Sequence, residues 1–367
     1  MVEMVESLDG FGRLAPQWNE LLHASEADCP FLTHEWLETW WKHFGGSRKL
    51  QLLAVRDNDE LIALAPLFLA PGPAGMFSRL ELLGTGHAGS DYLDFIVRRA
   101  REHESLQALA DALKARKRAL RLTHLPAASV ASGLADSLAE DGWTLRVAQG
   151  GVCPVAQLAG HSWDSYLGSL GASHRANFRR RYKALTQRFD LRFEAVTDEA
   201  TRHEALTTLM DFHGQRFGKS STAFVTPALR AFHHEATGRA LAAGWLRMYV
   251  LRLAGAPAAV MYGFFYNNRF YFYQHGFDPQ YEPFSAGLVL MGLTVRAAIE
   301  EGALEFDMLW GTEKYKALWA GDQRVLSQLQ LFPPHLGGLL QRRTVEAERS
   351  MRTLARRLLS LGGARAT

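Results

Sequence analysis

The hydrophobic positions of this chain change period repeatedly, and each change marks an element. Trp36, Leu37, Trp40, Trp41 and Phe44 recur at i, i+1, i+4, i+5 and i+8, the stripe of an amphipathic helix. Thr33 stands where an N-cap belongs, and Gly45-Gly46 closes the run. A helix-like pattern over 14–22 precedes it. The apolar runs LQLLAV and ELIALAPLFLA flank Asp57-Asn58-Asp59, which predicts a β-hairpin. RLELLG and YLDFIV predict two further strands on either side of the glycine-rich GTGHAGS. A helix over 103–117, a strand LRLTHL and a helix from Ser129 to Glu140 follow.

The second half repeats the order. A helix over 204–217 ends in Phe217-Gly218, and a further helix covers 227–243. The strands WLRMYVLRLAG and PAAVMYGFFY meet at Gly255-Ala256-Pro257. RFYFYQHGF then parallels RLELLGTGH, and a helix over 285–301 leads to LEFDML and the loop WGTEKYK. Both halves read helix, hairpin, third strand, special loop, an internal repeat of pattern without identity. Gly150-Gly151 and Gly160 flank VCPVAQL and place a boundary near 150–160. The expected division is 1–155, 156–335 and a basic amphipathic helix over 336–367. That tail sets Leu340, Met351, Leu354, Leu358 and Leu361 on one side and carries seven arginines against two glutamates.

The chain has 367 residues, 47% hydrophobic and 22% charged, a length and balance that fit a two-domain globular protein. Net charge is +3, from 41 Lys and Arg against 38 Asp and Glu, so nucleic-acid binding is not demanded by the total. The two cysteines, Cys29 and Cys153, make no disulfide framework or metal set, which fits a reducing cytoplasm. Each precedes a proline with no motif around it, and both are expected to be structural. The acidic start MVEMVESLDG is unlike a signal peptide. No apolar run reaches the length of a membrane span.

Candidate chemistry begins at YFYQHGFDPQYEPFSAGLVL, residues 271–290. An aromatic strand is followed by a turn and then by Ser285, Ala286 and Gly287 at the mouth of a helix. Unpaired N–H groups and the dipole attract anions at such a mouth, and small residues allow close approach. An N-cap with tight packing explains the same trio without a ligand. Asp307 ends a strand, and Trp310, Gly311, Glu313, Tyr315 and Lys316 follow within one loop. Asp307 or Glu313 can serve as a base, Tyr315 as an acid, and Lys316 as a phosphate or oxyanion contact; a salt-bridged turn is the alternative. Arg175, Arg179 and Lys183 fall at i, i+4, i+8 on a helix over 174–188 that also holds Arg180, Arg181 and Arg188. This concentration of cations predicts an anionic partner, against the alternative of a solvated face. His87 and His275 each follow a strand end. His23, His34, His43, His213, His233 and His234 show no ligand spacing with carboxylates or Cys, so no metal is expected. GTGHAGSD precedes a strand instead of a helix, which argues against a dinucleotide loop. It is expected to border the groove between the halves, with Asp91 and Tyr92 toward an acceptor. The tryptophan-rich helix is expected to be core.

The run YQHGFDP…FSAGLVL…AAIEEG…FDMLWGTEKYKALW resembles the C-terminal signature of the GNAT-like acetyltransferases related to the cellulose-biosynthesis protein CelD/BcsL, themselves similar to the FemAB peptidyltransferases. SWDSYLGSLGASHRANFRRRYKAL, FLTHEWLETWWKHFGG, LAPLFL and LLGTGHAGSDYLDF resemble the same group, so the likeness spans most of 28–320. It implies an α/β fold of tandem GNAT-like domains, with mixed, mostly antiparallel sheets flanked by helices. It also implies acyl transfer from acetyl-CoA or another acyl-CoA, with pantetheine beside Tyr273, Gln274, His275 and Gly276, whose backbone donors polarise the thioester. The pyrophosphate would lie at Ser285, Ala286 and Gly287. The acceptor would be an amine or hydroxyl of a small or sugar-type molecule in exopolysaccharide or envelope synthesis. One departure stands out. GNAT pyrophosphate loops read Arg/Gln-x-x-Gly-x-Gly/Ala, whereas here Glu282-x-x-Ser285-x-Gly287 puts an acid first.

Two other readings remain open. One is a FemAB-like transferase drawing on aminoacyl-tRNA; the other is a non-catalytic scaffold of a polysaccharide synthase. DNA is not an expected partner. The protein is expected in the cytoplasm, with the basic tail available to an anionic membrane surface.

Overall fold

The computed structural model describes residues 1–72, 75, 77–86, 88–217 and 223–363, without the side chains of 217, 349 and 352–363. Thirteen strands run through these residues: β1 (Val2–Val5), β2 (Lys49–Asp57), β3 (Glu60–Pro71), β4 (Ser78–Leu82), β5 (Ile96–Val97), β6 (Ala119–Pro126), β7 (Thr144–Gln157), β8 (Leu191–Ala195), β9 (Leu246–Leu253), β10 (Ala256–Tyr266), β11 (Arg269–Phe277), β12 (Glu305–Asp307) and β13 (Asp322–Phe332). They form one mixed sheet in the order β1-β2-β3-β4-β6-β13-β7-β12-β11-β10-β9-β8, with β5 against β3. Helices flank it, as the α/β reading requires.

The repeat seen in the sequence is a repeat of topology. Each half builds an antiparallel triplet, β2-β3-β4 and β9-β10-β11. Each triplet then takes a parallel neighbour, β6 beside β4 and β12 beside β11. Beyond that point the halves exchange strands. β13, late in the chain, pairs with β6, while β7 from the first half pairs with β12. β7 and β13 pair with each other from Thr144↔Phe332 to Val155↔Asp322. The border expected at 155/156 therefore falls inside β7. VCPVAQ, residues 152–157, closes a strand of 14 residues.

Thr33 Oγ1 accepts from the Trp36 N–H at 3.3 Å and opens the His34–Phe44 helix. Its apolar stripe is core, with Trp36 and Trp40 fully buried. Trp36 stands edge-on to Phe232 at 5.0 Å and to Tyr273 at 5.4 Å, so the tryptophan helix packs onto the second half. Charged pairs edge that contact: Lys42 with Glu235 at 2.8 Å and Arg239 with Glu38 at 2.6 Å.

YLDFIV yields only the two-residue β5. Asp94 accepts from the N–H groups of Phe95, Val130 and Ala131, each at 2.8 Å, adding to the Ser129 N-cap of the Val130–Glu140 helix. WGTEKYK is also more regular than expected, running into the Lys314–Trp319 helix. Both cysteines are buried. Burial pushes the Cys29 thiol up to about 12 and raises that of Cys153 as well. The tail forms the Leu336–Gly363 helix, tied to β7 by an Arg146–Glu346 ion pair. Leu340 and Met351 are exposed on it; the side chains of Leu354, Leu358 and Leu361 lie outside the described residues. No helix among the described residues is long and apolar enough to cross a membrane.

Candidate active site

The parallel pairing of β11 with β12 lasts only from Arg269↔Glu305 to Tyr271↔Asp307. The chain after β12 then follows β7 instead, with Met308 N–H donating to Pro154 O at 2.9 Å and Gly311 N–H to Val152 O at 3.1 Å. β11 runs on alone from Phe272 to Phe277 on that side, and its register with β10 skips at Tyr273. The two strands thus part like a V. A cavity of about 1060 Å³ opens there, lined by residues of both halves.

One wall is β11 and the helix that follows. Tyr273, Gln274 and His275 line the cavity, as do Ser285 and Gly287. Ser285 takes a left-handed conformation, φ +60°, and makes no side-chain cap on the Ala286–Glu300 helix. Leu288 and Val289 donate back to Ser285 O at 3.0 and 3.2 Å. The amides of Ala286 and Gly287 take no acceptor among the described residues. Ala286 itself is buried, and Gly276 is turned toward the Glu199–Phe217 helix, where a Cβ would meet Leu209 at 2.9 Å. Neither side lines the cavity. Glu282 does, as does Arg216, whose guanidinium lies 4.4 Å over the Phe277 ring.

The opposite wall is the 308–316 loop. Trp310 is 55% exposed and stands at the cavity. Its indole occupies the space over Gly151, where a Cβ would come within 2.0 Å of Nε1. Lys316 is buried, with Nζ donating to Trp310 O at 2.8 Å and Leu309 O at 3.5 Å and pairing with Glu313 at 3.3 Å. Its ammonium holds the loop closed. Tyr315 lies against His275, centroids 5.4 Å apart. Burial raises the Tyr315 hydroxyl and pushes the His275 imidazole down to about 3.

Asp307 does not join this wall. It is fully buried and absent from the cavity lining. Its Oδ2 accepts from Tyr92 at 2.6 Å and Arg324 at 3.1 Å, and its Oδ1 from the Leu309 N–H at 2.8 Å. Burial pushes its carboxyl up to about 6 against those donors. Held by three donors and closed off from the cavity, Asp307 anchors the loop; of the two expected bases, Asp307 and Glu313, this leaves Glu313 at the cavity. Tyr92 is turned the same way, with its hydroxyl on Asp307, and does not line the cavity. The basic helix stands apart from this cavity. Arg175 donates to Gly168 O at 2.7 Å and Leu170 O at 3.1 Å, satisfying carbonyls of the preceding turn. Arg179 and Lys183 are exposed, and none of the three lines the cavity.

The first half supplies the remaining wall. Gly86, Ala88, Gly89 and Asp91 from GTGHAGSD line it, and Tyr273 donates its hydroxyl to Ala88 O. His87 lies outside the described residues. Asp91 is buried, accepting from the Trp310 N–H at 2.7 Å and facing His124 Nδ1 at 3.0 Å. His124, at the end of β6 with φ +59°, lines the cavity from a position that strand periodicity alone does not mark. The signal was available in kind: a histidine at a strand's carboxyl end, where ligands gather in open α/β sheets. His213 and His233 also line the cavity and were missed as such. Among the described residues no group of three His, Cys, Asp or Glu side chains could hold a metal.

Residues 172–317 match the family model described as the acetyltransferase (GNAT) domain. They contain β11, the open helix mouth and the 308–316 loop. No curated protein matches the chain. Among solved structures, FemX is similar with a TM-score of 0.60 at 14% identity, over 85% of this chain and 95% of that one. A conserved protein of unknown function from Bacteroides thetaiotaomicron VPI-5482 reaches 0.58 at 12% identity, over 90% and 99%. L-PGS from Bacillus licheniformis reaches 0.53 at 13% identity, over 83% and 93%. These likenesses concern the fold, which is GNAT-like, and they extend over both halves.

Proposed function

We propose that the protein moves an acyl group, acetyl in the first instance, from acyl-CoA to an amine or hydroxyl of an acceptor. One observation carries this reading: β11 parts from β12 beside the mouth of the Ala286–Glu300 helix, and the cavity lies in the gap. A pantetheine arm laid along Phe272–Phe277 meets the edge of β11 that β12 leaves after Tyr271, where His275 O is already held by His213 Nε2. A pyrophosphate meets the Gly287 amide at the mouth of that helix, with the Arg216 guanidinium on the same wall. The match of 172–317 to the acetyltransferase domain supports the donor class. The resemblance to the CelD/BcsL group supports a sugar-type acceptor, held between Trp310 and the Gly86–Asp91 loop. Transfer is direct within a ternary complex, because both thiols are buried and raised above their usual range.

A second reading rests on Glu282. An exposed carboxylate beside the open amides repels phosphate, which favours a donor without pyrophosphate there, such as aminoacyl-tRNA. Arg179 and Lys183 would then contact the nucleic acid. Thermal unfolding with acetyl-CoA, longer acyl-CoAs and free CoA separates the two. A native-state ligand present at a hundredfold its Kd adds about 2.7 kcal/mol. Stabilisation by the CoA series is expected. No response to any of them, with salt-sensitive aminoacyl-tRNA binding, would replace this reading with the second.

A further inference from the structure

We propose that His124 is the general base of acyl transfer and Asp91 its positioning residue, so the first half completes a site whose donor is held by the second. This rests on the acyltransferase reading. The cavity offers several titratable groups, and the geometry disposes of most of them. Asp307 is enclosed by three donors, and Glu313 is paired with the Lys316 ammonium. His233 has Nδ1 facing Tyr262 Oη at 2.6 Å and Nε2 facing Ala223 O at 3.3 Å, and His213 Nε2 is held by His275 O at 2.8 Å. His275 lies among Phe272 and Tyr315, where a captured proton would have no counter-ion.

His124 differs on each point. Both Asp91 oxygens accept, one from the Trp310 amide and one facing His124 Nδ1. A carboxylate accepting on both sides requires the proton on Nδ1, which leaves Nε2 with its lone pair free. The imidazolium formed on proton capture keeps a counter-ion at 3.0 Å. The ring stands edge-on to Trp310, centroids 6.3 Å apart, and 25% of its side chain remains open at the cavity. The same carboxylate thus sets the tautomer and, through the Trp310 amide, ties the base to the loop of the second half.

Nε2 takes the proton from the acceptor's N–H or O–H as its lone pair bonds the thioester carbon. The tetrahedral oxyanion re-forms the carbonyl and expels the CoA thiolate. The proton held on Nε2 passes to that thiolate, giving free CoA thiol and the acylated acceptor.

The test uses full-length protein with 15N-labelled histidine. Long-range 1H–15N correlation spectra, assigned with His124→Gln, should show His124 as the Nδ1–H tautomer. Free CoA should shift its Nε2 resonance, and His124→Gln should bind CoA within about twofold of wild type. With acetyl-CoA and an amino-sugar panel, His124→Gln should lose about 10²–10⁴-fold in kcat with KM for acetyl-CoA unchanged. Imidazole should restore part of the activity of His124→Gly. An Nε2–H tautomer, a resonance indifferent to bound CoA, or a loss confined to KM would overturn the proposal. Failure of wild type to bind any CoA species would instead sink the acyl-CoA reading, while the tautomer spectrum would still judge the dyad.

Discussion

The Tyr92 hydroxyl donates to Asp307 Oδ2 at 2.6 Å, joining two halves of the chain 215 residues apart beneath the cavity floor. Removing the hydroxyl leaves a fully buried carboxylate oxygen with Arg324 as its remaining partner. Tyr92→Phe should therefore cost about 1–3 kcal/mol in urea unfolding. Acyl-CoA affinity should change little, since neither group lines the donor wall. A large loss of binding with unchanged stability would return Asp307 to the chemistry.

The exchange of β7 and β13 makes each half depend on the other. A fragment starting at residue 158 lacks the strand that pairs with both β12 and β13. Expressed alone it should show no cooperative unfolding transition, and mixing it with a 1–157 fragment should restore one. Independent two-state folding of the second half would contradict this.

Gly151 has φ +152°, a value that disfavours a side chain, and a Cβ there would overlap the Trp310 indole at 2.0 Å. Gly151→Ala should swing the indole off the cavity. Tryptophan fluorescence should change, and acceptor KM should rise by about tenfold, about 1.4 kcal/mol of lost contact, with a smaller effect on acetyl-CoA.

His233 is buried between Tyr262 and Ala223, and burial pushes its imidazole from 6.5 down to about 3. A depressed folded value contributes stability that is complete above pH 6.5 and lost as pH falls toward 3. Between pH 6 and 4 the wild type should lose about 1.4 kcal/mol per pH unit more than His233→Gln, one proton's worth of linkage. Parallel stability curves for the two proteins would refute it.

Much of this site was legible in the chain. The strand–turn–helix at 269–300 is written in local terms, an aromatic run, a proline-bounded turn and small residues, which mark Ser285 and Gly287, whereas Tyr273, Gln274 and His275 follow from the family resemblance. What sequence periodicity could not reach were relations made by the sheet. β7 read as a boundary because glycines punctuate it, yet Gly151 is there to admit an indole from residue 310. Asp91 and His124 meet only because β4 and β6 lie side by side, and nothing local links them. Asp307 carried the marks of a catalytic carboxylate, a strand end before a polar loop, but its three donors come from residues 92, 309 and 324. The cluster Arg175, Arg179 and Lys183 shows the converse: a charge run is visible in sequence, while the direction it faces is not.

The central claim is that the helix mouth at Ser285 and Gly287, beside the edge of β11, receives an acyl-CoA. Isothermal titration of acetyl-CoA into wild type, Gly287→Val and Glu282→Gln addresses it directly. A Cβ at Gly287 would stand 3.0 Å from the Phe277 ring and crowd the amides, so Gly287→Val should bind at least about tenfold more weakly, a loss of about 1.4 kcal/mol. Removing the carboxylate of Glu282 should tighten binding about two- to fivefold, the scale of a charge at a helix N-terminus. One-site binding with that opposite ordering is the predicted result; equal affinity in all three proteins, or no binding in any, would contradict the account.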